Sequence, residues 1–337
     1  MSIVISRTPF RISFFGGGTD YPLWYKQNGG AVLSTSIDKY CYISCRYLPK
    51  FFPDTYRIVW SHIEVVSSVG EILHPAVREG LRMLNFEGRR GVEIHHQGDL
   101  PARAGMGSSS SFANGLINAL SAMDGVSLSK KELFENAIKL EQDVLRENVG
   151  SQDQVATAVG GINVITFHQS GEIVVEPLNI KAARIAEFES HLMLFYLGSS
   201  RIASEVAAKV IENIPSRSAE IERLHSLVFE GRDIIEGTGP ISDLGALLDE
   251  TWEWKRRLSS VVSNPVVDAT YQKATSAGAL GGKLLGAGVS GFMLFFVPPD
   301  RQNDVKMALS GLMHVPFRFD FEGSVIITNN NGLASVG

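Results

Sequence analysis

The sequence predicts an α+β protein of two units. Strand-like alternation crowds the first hundred residues and long helical patterns crowd 202–277, while strands and helices never settle into a regular βα repeat. A chain of 337 residues is long enough to bury two sizeable cores.

The elements follow in order. Residues 3–15 read as a strand, with Ile3, Val4 and Ile5 followed by Phe10, Ile12 and Phe14. Residues 31–48 and 56–66 alternate in the same way, and 91–96 form a further strand. Helical spacing predicts helices over 109–123 and 129–147, the second opened by Ser129 with Glu132 in capping-box position. A short helix over 153–159 and a hairpin over 162–175 follow. The boundary is expected between 176 and 190, near Pro177, which gives units 1–180 and 181–337. The second unit reads as a strand at 191–197 and helices at 202–213, 217–236, 243–260 and 265–277. A glycine-rich turn at 286–291, a strand at 292–297, a helix at 300–313 and a strand at 315–328 complete it.

Composition excludes several classes. A net charge of −5 argues against a nucleic-acid binder, which would show a basic face. No run approaches the ~18 apolar residues of a membrane span, and Arg7 and Arg11 interrupt the start in a way a signal peptide does not tolerate. Cys41 and Cys45 sit at even spacing on one strand face, too far apart for an unstrained disulfide, and read as reduced thiols. A cytoplasmic location with access to ATP is therefore expected.

Residues 99–112 carry the strongest chemical signal. A polar run with Gly105, Gly107 and four serines, Ser108 to Ser111, leads straight into the apolar helical pattern of Phe112, Leu116 and Leu120. Glycines let a backbone approach a ligand, and a helix start offers free N–H groups and a positive dipole end to an anion such as phosphate. No Gly-Lys-Ser/Thr follows, so this is not a Walker A loop. Glu141 falls in the apolar stripe of its helix, among Ala137, Ile138, Val144 and Leu145. A carboxylate there is either paired with a buried arginine or holds a cation, and magnesium suits one such carboxylate with a loop serine and phosphate oxygens. Asp153 follows a helix end, where it is either an N-cap or a base that orients an attacking hydroxyl. In 9–22, Arg11 alternates with apolar residues, and Gly16, Gly17 and Gly18 open a loop carrying Thr19, Asp20 and Tyr21. Asp20 there is either a turn cap or a partner for sugar hydroxyls.

Three features are set aside. The 286–291 turn spells GxGxxG, but a strand follows it where a dinucleotide site needs a helix. His95 and His96 face opposite sides of a strand and cannot share a metal. Trp252, Trp254 and the Lys255, Arg256, Arg257 run read as a mixed packing and solvated helix face.

Together, the segments 9–21, 101–109 and 283–292 resemble the three motifs of the GHMP kinases. Within that family the run 7–22, the loop 100–112, the segments 141–143 and 148–154, and the turn 281–288 look most like the kinases of D-glycero-D-manno-heptose 7-phosphate. Galactokinases usually carry Gly-Glu-His where this chain has Gly16, Gly17 and Gly18. The resemblance implies a two-domain fold with the active site in the interdomain cleft, ATP and Mg²⁺ as cofactors, and a sugar phosphate as partner. It implies that Arg103, Ala104, Gly105, Met106, Gly107, Ser108, Ser109 and Ser110 cradle the ATP phosphates, and that Ser109 and Glu141 hold Mg²⁺. Asp153 would be the catalytic base with Arg11 beside it. Gly17, Gly18, Thr19, Asp20 and Tyr21, with Gly288, would bind the sugar. Arg103 replaces the glycine of many relatives, and Val289 with Ser290 replaces a glycine pair.

The expected reaction is phosphorylation of the anomeric hydroxyl of heptose 7-phosphate, feeding nucleotide-activated heptose for surface polysaccharide. A fucokinase-like or other sugar 1-kinase and a silent sugar sensor on a kinase fold are the alternatives. No nucleic-acid or membrane partner is expected, and the reading leaves room for a homodimer. Arg201, Lys255 and Arg256 are the candidate anchors for the sugar's own phosphate.

Overall fold

Alternation over residues 3–15 does what period two requires. In the computed structural model, which describes residues 3–49, 51, 56–198 and 203–329, strand β1 (Ile3–Phe15) buries Val4, Phe10, Ile12 and Phe14 on one face. It pairs antiparallel along its length with β2 (Gly30–Tyr47). The register slips between Pro9 and Phe10, where proline lacks the N–H a ladder needs. Helix α1 (Pro22–Asn28) fills the connection, with proline in its first turn.

The alternating stretch 56–66 is strand on either side of a turn. β3 (Tyr56–Val59) and β4 (Ile63–Val66) fold into a hairpin. Buried Glu64 accounts for the break: its carboxylate accepts from Trp60 Nε1 at 2.8 Å and from the His74 backbone at 3.2 Å, the latter at the start of helix α2 (Pro75–Met83). A buried carboxylate needs such donors, and a straight strand would not bring them to it. β5 (Val92–Gly98) then runs between β2 and β3.

Helix α3 (Ser108–Met123) is buried on nearly every side, because it lies between β1 and β2 below and two further helices beside it. Those are α4 (Lys130–Ile138), with the expected Ser129–Glu132 capping box, and α5 (Gln152–Val159). The expected helix 129–147 does not run through: after Ile138 it widens into a π-helical turn, Lys139–Val144. Such turns recur at functional sites. β6 (Ile162–Phe167) and β7 (Ile173–Pro177) form the expected hairpin on β2.

The second half contributes α6 (Ala182–Ser190), β8 (Leu192–Tyr196), α7 (Ala203–Asn213), α8 (Ser218–Glu236), α9 (Asp243–Arg257), α10 (Pro265–Ser276), β9 (Gly281–Leu284), β10 (Phe292–Phe296), α11 (Gln302–Ala308) and β11 (Met313–His314). Its sheet has the order β11-β8-β10-β9. The expected strand 315–328 is instead β12 (Phe319–Asp320) and β13 (Val325–Asn329), and both join the first sheet, on β2 and β1. The chain thus crosses back over the 180/181 division. One apolar cluster runs through both halves, with Phe14 against Phe188 at 5.1 Å and Phe15 beside Gly231 of α8. Cys41 and Cys45 are buried free thiols, as their spacing predicted.

Candidate active site

Arg11 leaves β1 on the face opposite Phe10 and Ile12 and is only 4% exposed. Its guanidinium grips Asp153 at two points, Nε to Oδ1 and Nη2 to Oδ2, each at 2.7 Å. Two parallel charge-assisted bonds fix both orientation and distance. Nη1 donates to the Gly105 carbonyl at 2.7 Å, and the Arg11 backbone N–H to the Met106 carbonyl at 3.0 Å. One strand residue therefore joins the glycine-serine loop to the start of α5. Ser151, not Asp153, is the residue that precedes α5, so the capping alternative for Asp153 does not hold.

The loop itself needs its glycines. Gly107 has φ +73 immediately before α3, and a Cβ there would stand 3.0 Å from Arg11 Cγ and 3.5 Å from Asp153 Oδ2. Gly105, at φ +78, has no room for one against the Leu285 carbonyl, 2.5 Å away. Arg103 also has positive φ, at 59°, and donates its backbone N–H to Ser108 Oγ at 3.1 Å. Ala104 and Met106, expected at the phosphates, are fully buried, the Met106 carbonyl taken by the Arg11 N–H and the Ala104 carbonyl packed against Gly291. Ser111 is a brace, donating to the Pro9 and Gly107 carbonyls.

Glu141 is brought to the same helix start. It is 1% exposed and accepts from Ser109 Oγ, from Ser110 Oγ at 2.7 Å and from Gln154 Nε2 at 2.6 Å. No arginine reaches it among the described residues, so the buried ion pair weighed from the sequence is absent. Burial pushes its carboxyl up to about 7, against the pull of the two serine hydroxyls. A second carboxylate, Glu147, lies 3.4 Å from Ser109 Oγ and is also raised by burial. Sequence reasoning missed it for a physical reason. Six residues of regular helix would turn Glu147 away from Glu141, but the π turn lets the Glu147 N–H reach the Glu141 carbonyl at 2.9 Å. Gln154 was missed too, since a glutamine in a polar run carries no distinguishing signal.

The loop 16–21 closes the other side. Asp20 is 3% exposed and accepts from the Gly18 N–H at 3.1 Å and the Gln152 N–H at 3.4 Å. Burial first, and the charge of Asp153 second, raise its pKa. Tyr21 is partly exposed, and burial with the charges of Asp20 and Asp153 raises its hydroxyl pKa. Gly17 is open on its Cβ side. Thr19 needs correction as a sugar-binding side chain. It is wholly buried, and its hydroxyl donates to the Gly16 and Ala31 carbonyls and accepts the Ala31 N–H; it locks the turn.

The third glycine turn meets the phosphate loop backbone to backbone, Gly286 against Gly105 and Gly291 against Ala104. Gly288 abuts the Val262 carbonyl, and Val289 holds φ +70 with its N–H on that same carbonyl at 3.0 Å. Behind the turn, Lys255 donates to the Leu284 and Gly286 carbonyls at 2.7 and 2.6 Å. It points inward, whereas Arg256 pairs with Glu253 and Asp268 outside, each at 3.2 Å. Arg201 lies outside the described residues.

A guanidinium-held carboxylate beside a glycine-serine helix start is built for phosphoryl transfer, which needs positioning and charge more than covalent chemistry. Residues 71–161 match the family model for the GHMP kinases N terminal domain. The chain thus carries a GHMP kinase N-terminal domain and is a phosphotransferase acting on an alcohol group. It is 27% identical over 320 residues to the D-glycero-alpha-D-manno-heptose 7-phosphate kinase of Campylobacter jejuni, across 92% of this chain and 94% of that protein. It is 25% identical to the L-fucokinase/L-fucose-1-P guanylyltransferase of Bacteroides fragilis, across 90% of this chain but 35% of that longer protein. A solved D-glycero-D-manno-heptose 1-phosphate kinase from Bacteroides thetaiotaomicron shares the fold at TM-score 0.72 and 24% identity, covering 95% of this chain and 97% of that one. No helix among the described residues is long and apolar enough to cross a membrane.

Proposed function

We propose that the protein transfers the terminal phosphoryl group of ATP to the anomeric hydroxyl of D-glycero-D-manno-heptose 7-phosphate, giving the 1,7-bisphosphate for nucleotide-activated heptose. The observation that carries the transfer is the two-point Arg11–Asp153 pair, fixed to the Gly105 carbonyl of the phosphate loop. The likeness to the Campylobacter kinase over nearly both whole chains supports the choice of acceptor.

In this reading the backbone N–H groups around Gly105, Gly107 and the start of α3, with Ser108 and Ser110, hold the ATP phosphates. The rings of Trp60, His74 and Phe112, in contact at 4.7–4.8 Å beside that helix start, offer a base a surface to stack on. The donor set at Ser109 suits magnesium: hydroxyls and the carboxylates of Glu141 and Glu147 crowd together with few protons to share. Magnesium bound there would neutralise charge on the phosphate oxygens. Asp153 accepts the proton of the anomeric hydroxyl as that oxygen bonds to the terminal phosphorus and the bond to the ADP oxygen breaks. Arg11 keeps Asp153 aimed and faces the charge that develops. The loop 16–21 holds the sugar, with Asp20 and Tyr21 as its polar wall.

The likeness to the fucokinase favours a second reading, a 1-kinase for unphosphorylated sugar. ATP turnover across heptose 7-phosphate, fucose, mannose and galactose separates the two. Heptose 7-phosphate is expected to give the highest kcat/KM by at least tenfold; a free sugar in first place would replace the heptose assignment. No ATP turnover with any acceptor would leave the silent sensor.

A further inference from the structure

Two lysines end behind the phosphate loop and near the Arg11–Asp153 pair without an acidic partner among the described residues. Lys255, in the last turn of α9, gives two of its three N–H groups to the Leu284 and Gly286 carbonyls. Lys283, on β9 and 3% exposed, gives Nζ to the Phe14 carbonyl at 2.8 Å. Neither ammonium pairs with a carboxylate among the described residues; the charge of Arg11 acts on both, and that of Lys255 acts on Lys283. Arg11 already holds Asp153, and the nearby Asp20 carboxyl is satisfied by backbone amides. Two further cations thus gather beside the Arg11–Asp153 ion pair, in a chain whose overall charge is −5. Burying cations without a counter-charge is costly. Elsewhere on α9 Arg256 has two carboxylates, whereas the Lys255 ammonium has carbonyls and the Trp252 ring, 6.0 Å away. The cleft is short of an anion.

The position says what the anion is attached to. Gly286, which Lys255 holds, lies against Gly105 of the phosphate loop. Phe14, which Lys283 holds, leads into the loop 16–21, and Leu258, one turn after Lys255, would lie 3.7 Å from a Cβ placed on Gly18. The ammoniums therefore stand where the two substrates would face each other. Lys283 is enclosed, whereas Lys255 is partly exposed.

We propose that Lys255, with Lys283 behind it, is a phosphate-contacting residue of the cleft, giving its third N–H to a phosphoryl oxygen of a bound substrate. Burial and the neighbouring charge of Arg11 push the Lys255 ammonium down to about 7 in the free protein, and an arriving anion would restore its charge. Which phosphate it takes, the acceptor's own or the terminal one of ATP, rests on the kinase reading above.

Calorimetric titration of the whole enzyme distinguishes these sources. Lys255→Met and Lys255→Arg are compared with wild type for an imido-bridged ATP analogue, for heptose 7-phosphate and for the free heptose. Loss of one charge-assisted hydrogen bond should weaken one phosphate-bearing ligand about 10- to 100-fold in Lys255→Met. Lys255→Arg should keep most of that affinity, and the free heptose should be unaffected. Weakened sugar phosphate assigns the acceptor's phosphate; weakened nucleotide assigns the terminal phosphate. If Lys255→Met binds all three as wild type does, or loses phosphorylated and free sugar alike, Lys255 only braces the glycine turn and the proposal fails. A wild-type enzyme that ignores heptose 7-phosphate overturns the acceptor reading instead, and the nucleotide arm still decides Lys255.

Discussion

The two glycine-rich turns of this protein touch each other yet do opposite work. The first, around Gly105 and Gly107, opens into α3, whose first N–H groups have no partner within the helix. The second, 286–291, opens into β10, whose backbone is paired on both sides by β8 and β9. Its glycines make room for the first loop, and its carbonyls take up Lys255. Similar spelling therefore opens a helix start, the proposed phosphate site, in one turn and makes close packing in the other. The element that follows each turn decides which.

The largest effect should come from the first turn's partner. Asp153→Ala is expected to lower kcat by about 10²- to 10⁴-fold, the range for a lost general base, while nucleotide affinity by titration stays near wild type. An unchanged kcat would take Asp153 out of the chemistry and leave the first turn a mere binding loop.

Next, alanine in each turn should separate the two roles. In Gly291→Ala, at φ +113, the new Cβ would fall 2.4 Å from the Ala104 carbonyl. It should cost about 3 kcal/mol in denaturant unfolding through strain and overpacking. Gly107→Ala crowds Arg11 and Asp153 instead, and should depress kcat more than its loss of stability explains. Equal patterns in the two variants would erase the distinction between the turns.

A smaller effect tests Glu141 under the first turn. Burial raises its folded-state pKa to about 7, above the ordinary carboxylate value of 4.5, so the folded state holds the proton longer than the unfolded one. The penalty for charging it is absent below about pH 4.5, grows as pH rises towards 7, and is complete above that. Metal-free enzyme should lose about 2 kcal/mol of stability from pH 5 to 7.5 on this account. Glu141→Gln should flatten that slope, and magnesium should restore wild-type stability at pH 7.5. A slope that survives in Glu141→Gln would assign it to other groups.

Much of this was readable in advance wherever the signal is local. The 3–15 alternation, the Ser129–Glu132 box and the serine run before Phe112 each specify structure through neighbours a few residues away. The helix at 129–147 was misjudged because a distant demand broke it: delivery of Glu141 and Glu147 to Ser109. Thr19 looked like a sugar contact because a hydroxyl beside glycines says nothing about which way it turns.

The sequence by itself determined the α+β class, the order of the elements and which loop could receive phosphate, since periodicity, caps and glycine placement are short-range properties of the chain. Tertiary structure alone decided that Arg11 clasps Asp153 across 142 positions, that β13 returns to β1, and that Lys255 turns inward while Arg256 turns out. Those outcomes depend on the balance of burial and charge among residues far apart in sequence, and a linear pattern does not contain that balance.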